Sequence, residues 1–262
     1  MKIKYHGHSC FELSTDKHRI LIDPFLKPNN PKAKVSAEEI DAPTHIILTH
    51  GHVDHVADAR HLFDLHADAH LIAMVEIAEW YHGDGVENVS DPNLGGTVEF
   101  DWGWVRYVPA FHTNTLPDGS SIGQAAGVIV NLDGTTVYHL GDTCLFSDLE
   151  LHASRDQPDI AIIPIGGHYT MDRHDAVKAA EWVGAATVIP CHYDTFPPIE
   201  TDAEAFKSDT ESETDASVVI LGVGDTHDAS SGETSTSDSE GGSLEDEGEY
   251  EAEAPEASSG TG

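Results

Sequence analysis

The stretch "THGHVDH", Thr49 to His55, sets three histidines and an aspartate within seven residues. Side chains two apart share a face in an extended chain, so His50 and His52 can converge on one point. On a helix, residues two apart do not face each other, which separates this stretch from the helical His-Glu-x-x-His zinc motif. The run before it, His45 to Thr49, is short, apolar and rich in β-branched residues, and reads as a buried strand. The run after it, Val53 to His66, carries Val56, Ala59, Leu62 and Phe63 at helical spacing. The motif therefore belongs on a strand-to-helix loop, where Asp54 and His55 point away from the face that His50 and His52 share. Two binding points are implied. The competing reading is a solvated loop in a chain that has 18 histidines.

Three later segments repeat the setting of His50. His112 follows "VRYVPAF", Asp142 follows "TTVYHLG" and His192 follows "ATVIPC", each a short apolar strand pattern. Taken singly, each would pass as a satisfied loop residue. Four strands that each deliver a His or Asp just beyond their C-terminal ends argue against chance, and with the whole of the dense motif they offer about the six or seven donors that a site with two ions needs.

Strand patterns fall at Lys2–Tyr5, Cys10–Ser14, Arg19–Ile22, His45–Thr49, His70–Ala73, Thr97–Phe100, Val105–Pro109, Gly127–Asn131, Thr136–Leu140, Ile160–Pro164, Thr187–Pro190 and Ser217–Leu221. Helical patterns cover His55–His66, Val75–Tyr81 and Arg173–Val183, and Thr201 to Asp215 reads as a surface helix or loop anchored by Phe206. The early strands lie close together and the later ones alternate with helices, which implies helices packed on a large mixed sheet system. No internal repeat is visible. Residues 1–227 are expected to form one domain. From Asp228 the text is Ser, Gly, Glu, Thr and Asp, with Leu244 and Tyr250 as its large apolar residues, so residues 228–262 are expected to be an acidic disordered tail.

The formal charge is −34. Residues 223–262 hold 12 acidic and no basic side chains, so the body keeps 35 acidic against 13 basic, a formal −22. Such a surface repels nucleic acid and anionic membrane, and it suits a salt-rich cytoplasm in which counterions screen the repulsion. A halophilic source is expected. No window is apolar for long enough to span a membrane, and Met1 to Tyr5 enters a strand pattern with no signal-peptide core, so a cytoplasmic protein is expected. Cys10, Cys144 and Cys191 are odd in number and scattered, and read as reduced thiols. Cys191 is expected to pack behind His192.

"THGHVDH", with the later "AFH", "YHLGDT" and "IPCHYDTFPPI", resembles the metallo-β-lactamase superfamily. The wider text, "HGHSCFEL", "LIDPF", "NLGG", "IGQAAGVIV", "GDTCLFSD" and "PIGGHYTM", is similar to its cytoplasmic metal-dependent hydrolases related to L-ascorbate 6-phosphate lactonase, from about Met1 to Thr226. The resemblance implies an α/β (α+β) fold, a four-layer αββα sandwich. It implies one metal on His50, His52 and His112, a second on Asp54, His55 and His192, and Asp142 bridging the two. Two divalent ions, zinc or else manganese, suit a mixed imidazole and carboxylate set. Cys191 and Asp194 flank His192 where the family would carry Met and Gly, and the acidic tail has no counterpart.

Asp23 in "LIDPF" is expected to orient a ligand histidine. His8 in "GHSC" either lines the cleft or makes a structural hydrogen bond. His168, after the Ile160–Pro164 strand, is expected to contact substrate, as a group for an anionic tail or the leaving oxygen. His61, His66, His82, His152 and His174 read as surface residues. Ser9, Ser121 and Thr143 lack a Ser-His-Asp context, so attack by water is expected, with Asp54 helping to orient it. The function implied is metal-dependent hydrolysis of a small-molecule ester or lactone. A phosphodiesterase and a non-catalytic metal-binding protein are the alternatives. Neither nucleic acid nor membrane is expected as a partner, and a homo-oligomer is left open.

Overall fold

A computed structural model of the chain describes residues 1–237. The first half supplies β1 (Lys2–Gly7), β2 (Cys10–Ser14), β3 (Arg19–Ile22), β4 (His45–Leu48), β5 (His70–Ala73) and β6 (Val89–Ser90). Strands β1 to β3 form an antiparallel meander, and β3 to β6 run parallel. The second half repeats that plan. β7 (Thr97–Phe100), β8 (Gly103–Pro109), β9 (Ala126–Leu132) and β10 (Thr135–His139) are antiparallel, and β11 (Ile160–Pro164), β12 (Thr187–Cys191) and β13 (Ser217–Val218) continue in parallel. Parallel neighbours need a crossover. Helices α1 (Val53–Val56), α2 (Ala59–Leu65) and α3 (Val75–Gly83) serve the first sheet, and α4 (Asp148–Asp156), α5 (Arg173–Val183) and α6 (Ala203–Glu213) the second.

The strands alternate with period two, and both faces are buried. One face sends Ile3, Phe11, Leu13, Ile20, Ile22, Ile47 and Ile72 between the sheets, where they meet Val105, Tyr107, Val128, Val130, Ile162 and Ile189. The opposite face of the first sheet packs Leu21, Ile46, Leu48 and Leu71 on Leu62, Phe63, Ile77 and Tyr81 of α2 and α3. That of the second packs Ile129, Tyr138, Ile163 and Val188 on Leu149, Ala176, Ala180 and Phe206 of α4 to α6. The order is helix, sheet, sheet, helix, as expected. Burying each of these large aliphatic side chains contributes roughly 1.5–3 kcal/mol, so all three apolar layers add substantially to stability.

Two expectations are corrected. The helix expected over His55–His66 is broken into α1 and α2, because Asp58 turns inward: its amide donates to the Pro24 carbonyl, and its carboxylate accepts from Leu26 N and Asn29 Nδ2. The chain also does not leave the fold at residue 228. β14 (Thr226–Asp228) pairs antiparallel with β1, and β15 (Thr234–Ser235) pairs with β14, so the described part of the expected tail is sheet edge. Residues 238–262 of that tail lie outside the described residues. Among the described residues no helix is long and apolar enough to cross a membrane.

Candidate metal centre

Every donor expected from the sequence lies at one end of the two sheets. Asp23 follows β3, His50 and His52 follow β4, and Asp54 and His55 sit on α1. His112 follows β8, Asp142 follows β10 and His192 follows β12. Together they line or underlie a cleft of about 640 Å³ that also touches Phe25, Asn29, Val53, Thr113, Tyr169 and Phe196. A larger opening of about 710 Å³ lies at the opposite end of the strands, beside Lys2, Arg19, Trp102 and Asp133, and holds none of these donors.

Three imidazoles converge on one side. His50 Nε2 is 3.0 Å from His52 Nδ1, and His112 Nε2 is 3.2 Å from that same nitrogen. Asp142 Oδ2 completes the group, 3.9 Å from His50 Nε2 and 3.5 Å from His112 Nε2. Donors about 2.0–2.1 Å from a tetrahedral ion stand roughly 3.3 Å apart, which is the spacing found. On the other side His192 Nε2 is 3.0 Å from Asp142 Oδ2 and 3.9 Å from Asp54 Oδ2, and His55 Nε2 is 3.4 Å from Asp142 Oδ1.

The hydrogen bonds beneath the cleft assign the tautomers. Thr49 Oγ1 donates to Asp23 Oδ2 at 2.6 Å, so it accepts from His50 Nδ1 at 3.0 Å. His55 Nδ1 donates to the same Asp23 Oδ2 at 2.7 Å. Both Nε2 atoms are left with lone pairs facing the cleft, and Asp23 has the orienting role expected of it. His8 is different. Its Nε2 donates to Asp54 Oδ2 at 3.0 Å and its Nδ1 accepts from Thr195 Oγ1 at 2.9 Å, so neither nitrogen remains for an ion. It holds Asp54 in place, although its atoms lie close enough to Asp54, His55 and His192 to be grouped with them.

Backbone geometry is tuned to these positions. His8, Asp23 and His192 all have left-handed φ values, 59°, 48° and 52°, which non-glycine residues rarely adopt. Gly141, with φ 65°, lets the chain turn into Asp142, since a Cβ there would stand 2.5 Å from the Ala126 carbonyl oxygen. His139 braces that turn: its Nδ1 accepts from Gly141 N, and its Nε2 faces the Ser9 carbonyl.

The ionisable groups of the cleft act strongly on one another. Burial opposes the ionisation of Asp142, yet the facing His192 and His55 hold its carboxyl well below the usual range. Burial likewise opposes a charge on His55, but Asp142 and Asp23 push its pKa well above the ordinary value. Burial, with His55 beside it, drives His50 down. His55 Nε2, Asp142 Oδ1 and His192 Nε2 are buried with no hydrogen-bond partner. Unpaired imidazole lone pairs and a carboxylate around one point fit a divalent ion.

One expected site residue is not brought in. His168 is exposed, with φ 55°, and is not among the residues lining the cleft. Gly167 and His168 are both left-handed, and Tyr169 N returns to Gly167 O at 2.6 Å, so the turn presents Tyr169 to the cleft instead. The His168 ring only meets the Tyr169 ring edge-on, with centroids 4.5 Å apart. Phe25, Tyr169 and Phe196 were not singled out from the sequence; their one signal was adjacency to the motifs "LIDPF", "GGHYTM" and "CHYDTFPPI".

Helix–sheet–sheet–helix layering with a histidine–aspartate cleft at the strand ends defines a class, and a Beta-lactamase superfamily domain model matches residues 2–192. A metal-dependent hydrolase of Shouchella clausii is 40% identical over 217 residues, 81% of this chain and 94% of that one. Another, from Methanopyrus kandleri, is 40% identical over 232 residues, 87% of this chain and all of the relative. Igni18, a metallo hydrolase of the archaeon Ignicoccus hospitalis, superposes with a TM-score of 0.78 at 33% identity, covering 86% of this chain and 96% of its own. The chain belongs to the UPF0173 metal-dependent hydrolase family of the metallo-β-lactamase superfamily.

Proposed function

We propose that the cleft hydrolyses a small ester or lactone with two divalent ions. His50, His52 and His112 would hold one, and Asp54, His55 and His192 the other, with Asp142 shared. The observation that carries this is the pair of buried, unpartnered donors His55 Nε2 and Asp142 Oδ1, 3.4 Å apart, beside a separate cluster of three imidazoles. One tetrahedral ion cannot use all seven donors. Zinc accepts this mixture of imidazole and carboxylate, as does manganese. Bound there, the ions supply Lewis acidity and let water ionise near neutral pH.

The remaining work falls to the chain. Asp23 and Thr49 fix the imidazole tautomers, so that lone pairs and not N–H groups face the cleft. Asp54, with a side chain 25% exposed, is the more open of the two cleft carboxylates, against 3% for Asp142. It would orient the attacking water and take its proton, while His8 holds its Oδ2. Thr113 and Tyr169 are the hydroxyl-bearing lining residues; Thr113 Oγ1 stands 3.5 Å from His52 Nε2, a candidate ligand, and Tyr169 lies at the exposed mouth, which supports attack by water over attack by a side chain. The resemblance to metal-dependent hydrolases that are themselves related to a lactonase favours a cyclic or open ester. The acidic body supports a small molecule over nucleic acid as substrate, and a salt-rich cytoplasm as the setting.

Elemental analysis of protein offered excess metal should approach two ions per chain. Chelation should abolish hydrolysis of esters and lactones, and Asp54→Asn should lower kcat by about 10²–10⁴-fold. A single ion, retained unchanged in His192→Ala, would rule out the second site; turnover surviving exhaustive chelation would rule out the reaction.

A further inference from the structure

Five of the residues lining the cleft, His52, Asp54, His112, Asp142 and His192, belong to the donor set. The rest of its wall is Phe25, Val53, Tyr169 and Phe196, with Asn29 and Thr113. Two properties of that wall stand out: it is apolar, and among the described residues it contains neither lysine nor arginine.

Val53 and Tyr169 are 57% and 54% exposed, large apolar side chains left open to solvent at the mouth. Phe25 and Phe196 form the inner part, with ring centroids 6.4 Å apart, and each meets the His8 ring edge-on at 5.6 and 5.7 Å. The wall is firm, because Phe25 is buried and Leu26 N is tied to Asp58 Oδ2 at 2.6 Å. Its polar capacity is small. One Asn29 N–H is given to Asp58 Oδ1 at 2.9 Å, which leaves its other N–H, its carbonyl and the Thr113 and Tyr169 hydroxyls, all of them neutral. With His168 outside the cleft, an anionic tail lying on the wall, away from the metal ligands, would give up its water beside aromatic rings with no cationic side chain to meet it.

We infer, on the basis of the hydrolase reading above, that the cleft selects uncharged esters or lactones bearing an aryl or alkyl group against Phe25, Val53, Tyr169 and Phe196, and rejects those with an anionic tail remote from the scissile bond. Each methylene seated on the wall removes apolar surface from water, a gain of roughly four-fold in affinity for the transition state.

The test uses the metal-loaded full chain. Phenyl acetate, phenyl butanoate and phenyl hexanoate are compared with 4-acetoxybenzenesulfonate, whose sulfonate is a poor metal ligand and so reports the wall and not the ions. The expected result is a kcat/KM that climbs roughly four-fold per methylene, and falls about ten-fold or more for the sulfonate. Tyr169→Ala and Phe196→Ala should flatten the chain-length dependence, and Tyr169→Arg should recover much of the sulfonate's loss. Binding is measured separately by calorimetry with N-phenylhexanamide and 4-acetamidobenzenesulfonate, where no turnover is needed. If no ester is cleaved, yet the hexanamide binds more tightly than the sulfonate and loses that preference in Phe196→Ala, the selectivity stands and the ester reading falls. Equal or tighter binding of the sulfonate, or a chain-length dependence untouched by both alanine substitutions, overturns the inference.

Discussion

His8 donates to Asp54 from a left-handed backbone position, so replacing it risks two effects at once. Asparagine separates them, since it tolerates φ near 59° but is too short to reach the Asp54 carboxylate. His8→Asn should therefore keep the melting temperature within a few degrees while weakening metal retention by about 10–100-fold, as for other residues that orient a ligand. Competition with a chelator of known affinity reads this, and retention equal to wild type would remove His8 from that role. At this scale much was legible. All seven donors follow short apolar strands, and a strand's end fixes where the next residues emerge. Asp23 was legible for the same reason. Side-chain direction within a turn was not: whether His168 or Tyr169 faces the cleft depends on two successive left-handed residues, and histidine gives no warning that it will adopt that conformation. Tautomers were equally hidden, because Thr49 and Asp23 meet only once β3 and β4 are paired.

Elements were read best where a continuous apolar run, an alternating run or a wide helical stripe ran for four residues or more, as in β2, β3, β5, β7, β11 and α5. Helix α4 went unread because it buries only Leu149 and Ala153, a stripe too narrow to show above its polar residues. β6 and β15 are two residues long and carry no period at all. β14 was missed for another reason: its partner is β1, at the far end of the sequence, with Lys2 opposite Asp228, Ile3 opposite His227 and Lys4 opposite Thr226. Ending the chain at Gly224 would strip that ladder and leave the edge of β1 unpaired. The expected cost is about 2–4 kcal/mol from the lost backbone hydrogen bonds, and a fall in Tm of roughly 5–15 °C. A chain ending at Ser237 keeps the ladder and should melt like the full chain in a calorimetric scan. Identical melting of both truncations would show that the edge adds nothing.

Across the whole molecule, charge adds to the chain entropy that opposes the stability supplied by the core. With a formal −22 on residues 1–222, self-repulsion works against compaction unless counterions screen it, and the screening length shrinks to about 3 Å in molar salt. Thermal unfolding should thus move to higher temperature between dilute buffer and molar potassium chloride, and equal Tm values would count against a salt-adapted body. Layer order followed from the alternation of strands and helices, but strand order did not, because neither composition nor period says that the last strands return to the first. That return has a consequence for biosynthesis. A ribosome releases β1 about 220 residues ahead of its neighbour β14, and every donor from His50 to His192 is made in between. All the candidate ligands are thus in place on the nascent chain while the first sheet waits with an open edge until Thr226–Asp228 are made. A stalled or prematurely terminated chain would then carry the candidate ligands beside an unprotected strand, the form most exposed to pairing with another nascent copy.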